Sequence, residues 1–281
     1  MGQQNIHGHI VFLSPHLDDA VVSCGGTISC LERIGVPVEV VTIFAGSPSG
    51  ELSPFAEWMH RAWRLPYDAP ACRRDENGQA LSSLGARSTC LSFQDSIYRR
   101  RRRGESFLHT SKEQIFSGNW QQESSLLSAL VEELQQRLAE LSWAVLCTPL
   151  GAGGHVDHLL AHVAAERVCA GLKREEIVFY EDLPYALDLS TLQKALTRFK
   201  LPTDLHLVVP LTEPDMCAKG RAIRLYTSQS KDIAGELGIL VHEVLGYAYL
   251  AADKGATGPG ERFWASRRAA LEPLRRALNM R

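Results

Sequence analysis

Ile10-Val-Phe-Leu-Ser-Pro-His-Leu-Asp-Asp-Ala20 is a short apolar run that stops at Pro15 and then presents an imidazole and two carboxylates. The apolar part reads as a buried strand over 10–13, and the chain beyond it takes a helical period over 19–34 before a second strand over 38–44. Strand, helix and strand in this span suit a right-handed βαβ crossover. Further strands are expected over 89–93, 143–147, 177–180 and 205–209, with helices over 75–84, 123–141, 158–171 and 213–226 between them. That alternation predicts an α/β fold with a mostly parallel sheet and helices on both faces. In such sheets the ligand crevice lies beyond the carboxyl ends of the strands, which is where His16, Asp18 and Asp19 fall. The stretches 47–75 and 96–119 read as long loops over one end of the sheet.

The second half of the chain repeats the arrangement. Trp143-Ala-Val-Leu-Cys147 is an apolar run, and Gly151-Ala-Gly-Gly-His155-Val-Asp-His158 follows it. Two strand ends, each with His and Asp, would face one ion. A catalytic zinc site uses three His or carboxylate ligands and keeps one position open, and His16, Asp19 and His158 would supply that set. The ion would acidify a water molecule and polarise a carbonyl. Asp18, next to a ligand but not itself one, is the candidate general base. His155 would serve as acid or oxyanion donor in its imidazolium form, with Asp157 nearby to orient it or raise its pKa. Two other readings stand beside this one. Carboxylates at the start of a helix also cap it, and two His with one carboxylate also describe non-haem iron(II) oxygenases, so Fe2+ is an alternative to Zn2+.

These motifs resemble those of the PIG-L/LmbE-type zinc de-N-acetylases. Pro15-His16-Leu17-Asp18-Asp19 is similar to that family's Pro-His-Pro-Asp-Asp-Glu signature, and His155-Val-Asp-His158 to its His-Pro-Asp-His. Arg73-Arg-Asp-Glu76, Leu84-Gly85-Ala86, Leu91-Ser-Phe-Gln-Asp95 and the segment from Lys219 to Gln229 agree in order and spacing, so the likeness spans about residues 8 to 230. The resemblance implies a Rossmann-like domain over 1–281, with 231–281 as a C-terminal helical extension. It implies zinc on His16, Asp19 and His158, Asp18 as base, His155 as acid or oxyanion donor, and Asp157 as its modulator. Arg73 matches a substrate-contacting position, and Asp95 is placed with it. The reaction implied is removal of an N-acetyl group from an N-acetylglucosamine-type conjugate, with an amidase of another N-acyl or thiol conjugate as the alternative. Leu17 and Ala20 depart from the first signature, and Gly153 stands where some relatives carry a Tyr that helps hold the oxyanion.

The remaining features bound the reading. A chain of 281 residues with 45% hydrophobic and 22% charged residues is an ordinary globule, and a net charge of -2 gives no general affinity for nucleic acid. No apolar stretch approaches the roughly 18 residues that cross a bilayer. Seven cysteines with no Cys-x-x-Cys pair read as reduced thiols, and the chain is expected to be cytoplasmic. Gly2 does not make a myristoylation signal, because Ile6 stands where Ser or Thr is needed. Arg99 to Arg103 are read as a solvated loop in preference to an anion site. Tyr180-Glu-Asp-Leu-Pro-Tyr185 follows a strand and would line the crevice, with Glu181 or Asp182 on sugar hydroxyls. Gly25-Gly26 lacks the spacing of a dinucleotide loop, and the basic 263–278 segment reads as a helix docked on the domain.

Overall fold

A computed structural model describes residues 8–65, 68–101, 106–229, 237–252 and 258–280; Gly2, Ile6, Arg102, Arg103 and parts of the 231–281 segment lie outside the described residues. The strands are β1 (His9–Ser14), β2 (Val38–Thr42), β3 (Arg87–Cys90), β4 (Trp143–Pro149), β5 (Ile177–Tyr180), β6 (His206–Pro210) and β7 (Gly260–Trp264). They form one sheet in the order β3-β2-β1-β4-β5-β7-β6. β7 is antiparallel to both its neighbours, and the other pairings are parallel. Ile10, Val11, Phe12 and Leu13 are wholly buried, as a central strand covered on both faces requires.

The helices are α1 (Asp19–Arg33), α2 (Pro54–Trp63), α3 (Ala69–Ser83), α4 (Lys112–Ile115), α5 (Ser124–Glu140), α6 (Val156–Gly171), α7 (Leu189–Arg198), α8 (Glu213–Ile223), α9 (Leu237–Ala251) and α10 (Arg268–Ala277). α1 packs on α8, which also meets α3, while α5 packs on α6. This is the expected mostly parallel α/β architecture. Chain order runs outward from β1 to β2 and β3 on one side and restarts at β4 on the other. The junction of β1 and β4 is therefore the topological switch point, where such folds open a crevice. Among the described residues, no helix is long and apolar enough to cross a membrane.

Three expectations are corrected. The stretch 47–75 holds α2 and the start of α3: Ser53 caps α2 by accepting the Ala56 N–H at 2.9 Å, and Pro54 occupies its first turn. The Arg99 side chain is not solvated. It is buried at 7% exposure because two carboxylates, Glu123 and Asp157, surround it. The C-terminal segment is not only helical, since β7 enters the sheet between β5 and β6. Its charges hid the strand, because Glu261 is paired inside the protein with Lys219 at 2.6 Å and Arg262 with Glu181 at 3.0 Å.

Candidate active site

Two loops build the site, one after β1 and one after β4. In the first, Ser14 Oγ donates to the His16 carbonyl at 2.6 Å and accepts the Ala20 N–H at 3.0 Å, which folds the turn tightly into α1. Asp18 stands at the cap position of α1, yet its side chain makes no capping hydrogen bond. The capping explanation therefore fails for Asp18, whose carboxylate is left for other work. Asp19 reaches back to accept the His16 N–H at 2.7 Å. In the second loop, Gly151 and Gly153 adopt φ of +86° and +78°, a region that suits glycine. His155 then caps α6 by accepting the Asp157 N–H on Nδ1 at 3.2 Å, and His158 follows one turn later.

His16, Asp19 and His158 offer ligand atoms that lie within 4.8 Å of one another. Asp19 Oδ2 is 3.2 Å from His16 Nδ1 and 3.3 Å from His158 Nε2. The outer nitrogen of each ring is already used. His158 donates Nδ1–H to Asp182 at 2.6 Å, and Asp182 also accepts the N–H groups of Gly151 at 2.8 Å and Ala152 at 3.0 Å. His16 donates Nε2–H to Asp157 at 2.9 Å. These partners fix both tautomers, so the inner lone pairs converge on Asp19. His158 Nε2 is buried with no hydrogen-bond partner among the described residues, as a metal ligand without its ion would be.

His16, His155 and Asp157 form a second cluster of ligand spacing. Its carboxylate is already committed: Asp157 is paired with Arg99 at 2.6 Å and accepts from His16 and from the Ser96 N–H at 3.1 Å. The first set is the one that fits a cation.

Electrostatics point the same way. Asp18, Asp19, Asp95, Asp157 and Asp182 are all buried here, against the guanidinium groups of Arg73 and Arg99. Burial pushes the His158 imidazole down, but Asp19 and Asp182 outweigh it and bring its pKa to about 9. His16 is likewise raised, because Asp95, Asp157 and Asp19 overcome its burial. A site that draws protons onto imidazoles in this way favours positive charge, and a divalent cation supplies it.

Asp18 differs from Asp19. Burial pushes its carboxyl up to about 6, opposed first by Arg73, whose guanidinium lies 3.7 Å away. Arg73 in turn sits over the Trp63 ring at 4.7 Å. His155 is held well below its ordinary pKa by burial. With Nδ1 accepting a backbone N–H, the neutral ring carries its proton on Nε2, not the imidazolium that the sequence suggested. These groups open into a cavity of about 220 Å³, whose acidic end holds His16, Asp18, Asp19, Asp95 and His155 and whose walls include Trp63, Ile97, Ile115, Phe116 and Tyr185.

The structure brings eight of the nine residues expected from sequence to this centre and moves one away. Arg73 and Asp95 line the cavity. The Asp157 carboxylate serves His16, whereas the expectation placed it on His155. Glu181 points elsewhere: it accepts from Tyr247 at 2.8 Å, Arg262 at 3.0 Å and Trp264 at 2.9 Å. Just past β5, neighbouring side chains face opposite ways, so it is Asp182 that reaches the site. Asp182 supports His158, where the sequence offered it as a contact for sugar hydroxyls, and Arg99 clamps Asp157, a role that sequence reasoning did not assign. The alternation after β5 could have separated Asp182 from Glu181, but nothing local distinguishes Arg99 within its arginine run.

Comparison with known proteins agrees with this geometry. Residues 11–169 match the family profile described as GlcNAc-PI de-N-acetylase (PIG-L). A 2'-N-acetylparomamine deacetylase of Niallia circulans is 28% identical over 188 residues, covering 62% of this chain and 66% of that protein. A 2'-N-acetylparomamine deacetylase of Streptomyces fradiae is 26% identical over 261 residues, covering 89% of this chain and 82% of that one. Among solved structures, the zinc-inhibited form of teicoplanin deacetylase Orf2 superposes with a TM-score of 0.76 at 26% identity, over 91% of this chain and 97% of that chain.

Proposed function

Since the chain belongs to the GlcNAc-PI de-N-acetylase (PIG-L) family and is thereby an N-deacetylase hydrolase, we propose that it removes the acetyl group from an N-acetylglucosamine-type amino sugar carried on a larger conjugate. The observation that carries this reading is the meeting, in one cavity, of a His/Asp/His set fit for a divalent cation with a separate buried carboxylate that caps nothing. The relatives named 2'-N-acetylparomamine deacetylase support the substrate class.

His16, Asp19 and His158 would hold Zn2+, with Fe2+ as the alternative, and the cation would supply Lewis-acid polarisation of the acetyl carbonyl and acidify the attacking water. Asp18 takes the proton from that water as its oxygen adds to the carbonyl carbon. A carboxyl with a pKa of about 6 is largely ionised at neutral pH, yet basic enough to accept the proton. His155 donates Nε2–H to the oxygen that gains charge. As the C–N bond breaks, the proton held on Asp18 passes to the nitrogen, giving acetate and a free amine. Arg73 and Asp95, in the same cavity, are the substrate contacts of this reading. All seven cysteines are unpaired, which supports action in a reducing, cytoplasmic setting.

The test is metal analysis of protein purified without added metal, paired with amine release from a panel of N-acetylglucosamine glycosides with and without chelator. Stoichiometric metal and chelator-sensitive release are expected. A metal-replete protein that releases no amine from any of them would overturn the substrate class.

A further inference from the structure

Tyr185 follows Asp182 in the loop after β5, where the Ala186 N–H donates to the Asp182 carbonyl at 2.8 Å and closes the turn. Its ring meets His158 edge-on, with centroids 5.5 Å apart at 82°, and packs on Phe116 at 5.5 Å and 64°. Phe116 in turn stands on His155 at 5.0 Å, and His155 lies 5.3 Å from His158. The four rings close a circuit that joins the two catalytic imidazoles and leaves the phenol little freedom to swing. Tyr185 lines the same cavity as Asp18, Asp19 and His155.

The loop after β4 is shaped to admit this ring. Gly153 has φ of +78°, and a Cβ there would lie 2.7 Å from Tyr185 Cγ and 2.9 Å from its Cβ and Cδ1. The phenol ring occupies the space that any side chain at 153 would need. Its hydroxyl, on a partly buried side chain, is also used differently from those of the buried tyrosines. Tyr98, Tyr180, Tyr226 and Tyr247 hydrogen-bond through their hydroxyls to His60, Leu13, Asn77 and Glu181. The Tyr185 hydroxyl has no hydrogen-bonding partner among the described residues, although Tyr185 lines the cavity that holds Asp18, Asp19, Asp95 and His155.

We propose that Tyr185 is a catalytic residue that donates a hydrogen bond from its hydroxyl to the acyl oxygen as that oxygen becomes an oxyanion. It works beside the Nε2–H of His155, and the proton stays on the phenol throughout. This assignment rests on the amide-hydrolysis reading above. A donor that engages only the charge-bearing oxygen acts on the transition state and is felt in kcat, and losing one such donor costs about 100- to 1000-fold.

Tyr185→Phe keeps the ring and removes only the hydroxyl, so fold and metal site should survive. Amine release from an N-acetylglucosamine glycoside turned over by the parent protein should fall about 100-fold in kcat, with KM within about threefold and with metal content and melting temperature unchanged. Gly153→Ala, which displaces the ring, should reproduce that loss, and the double variant should be no worse than Tyr185→Phe alone. Parental kcat in Tyr185→Phe, a loss confined to KM, or a loss explained by missing metal would each overturn the role while leaving the deacetylase reading intact. A parent protein with no turnover on any N-acetyl amino sugar removes that reading and this inference with it.

Discussion

His158 donates Nδ1–H to Asp182 across 2.6 Å, and the carboxylate that receives it is anchored by the backbone N–H groups of Gly151 and Ala152. The loop that carries the second His motif thus also fixes the residue that aims its imidazole. Asp182→Asn removes the negative charge and offers an amide that no longer selects the Nδ1–H tautomer. Zn2+ affinity, measured by titration against a competing chelator, should weaken about 10- to 100-fold. Unchanged affinity would show that Asp182 does not orient the ligand.

A second support reaches the site from the other side. Arg99 pairs with Glu123 at 2.6 Å and with Asp157 at 2.6 Å, and Asp157 receives the Nε2–H of His16. Arg99→Met leaves two buried carboxylates without their cation and should lower unfolding free energy by about 3–5 kcal/mol. Arg101→Met, at an exposed position, should stay within about 0.5 kcal/mol of the parent. Urea denaturation separates these cases, and equal effects at the two positions would contradict the clamp.

Acid should destabilise the fold through His162. Its ring is stacked between Phe179 at 4.4 Å and Phe199 at 3.5 Å, and burial pushes its pKa from 6.5 to about 3. Between these values the unfolded chain binds a proton that the folded chain does not. The contribution is therefore fully present above pH 6.5 and is lost progressively as pH falls toward 3. The slope from this one group approaches about 1.4 kcal/mol per pH unit. His162→Phe should flatten the stability profile by that amount across the window, and a slope identical to the parent's would contradict the assignment.

Much of this was readable in the chain because the physics involved is local. Buried central strands write themselves as continuous apolar runs, so β1 and β4 are visible in 10–13 and 143–147, and the polar residues just past them fall at the crevice. What escaped depends on long-range pairing. β7 carries Glu261 and Arg262, which look like surface residues until Lys219 and Glu181 are brought to them. Arg99 is one of five arginines in a row, and only its distant partners distinguish it. The misplacement of Glu181 came from a single register step, since an alternating backbone sends residues 181 and 182 to opposite sides. His155 was expected charged because Asp157 lies two residues away, but the folded loop turns that carboxylate toward His16.

The division of labour between Asp18 and Asp19 is the central claim, and comparison of Asp18→Ala with His16→Ala tests it most directly. Asp18→Ala should bind metal stoichiometrically and lose at least about 100-fold in kcat for amine release, whereas His16→Ala should lose both metal and turnover. Parental turnover in metal-replete Asp18→Ala, or full metal occupancy in His16→Ala, would contradict the account.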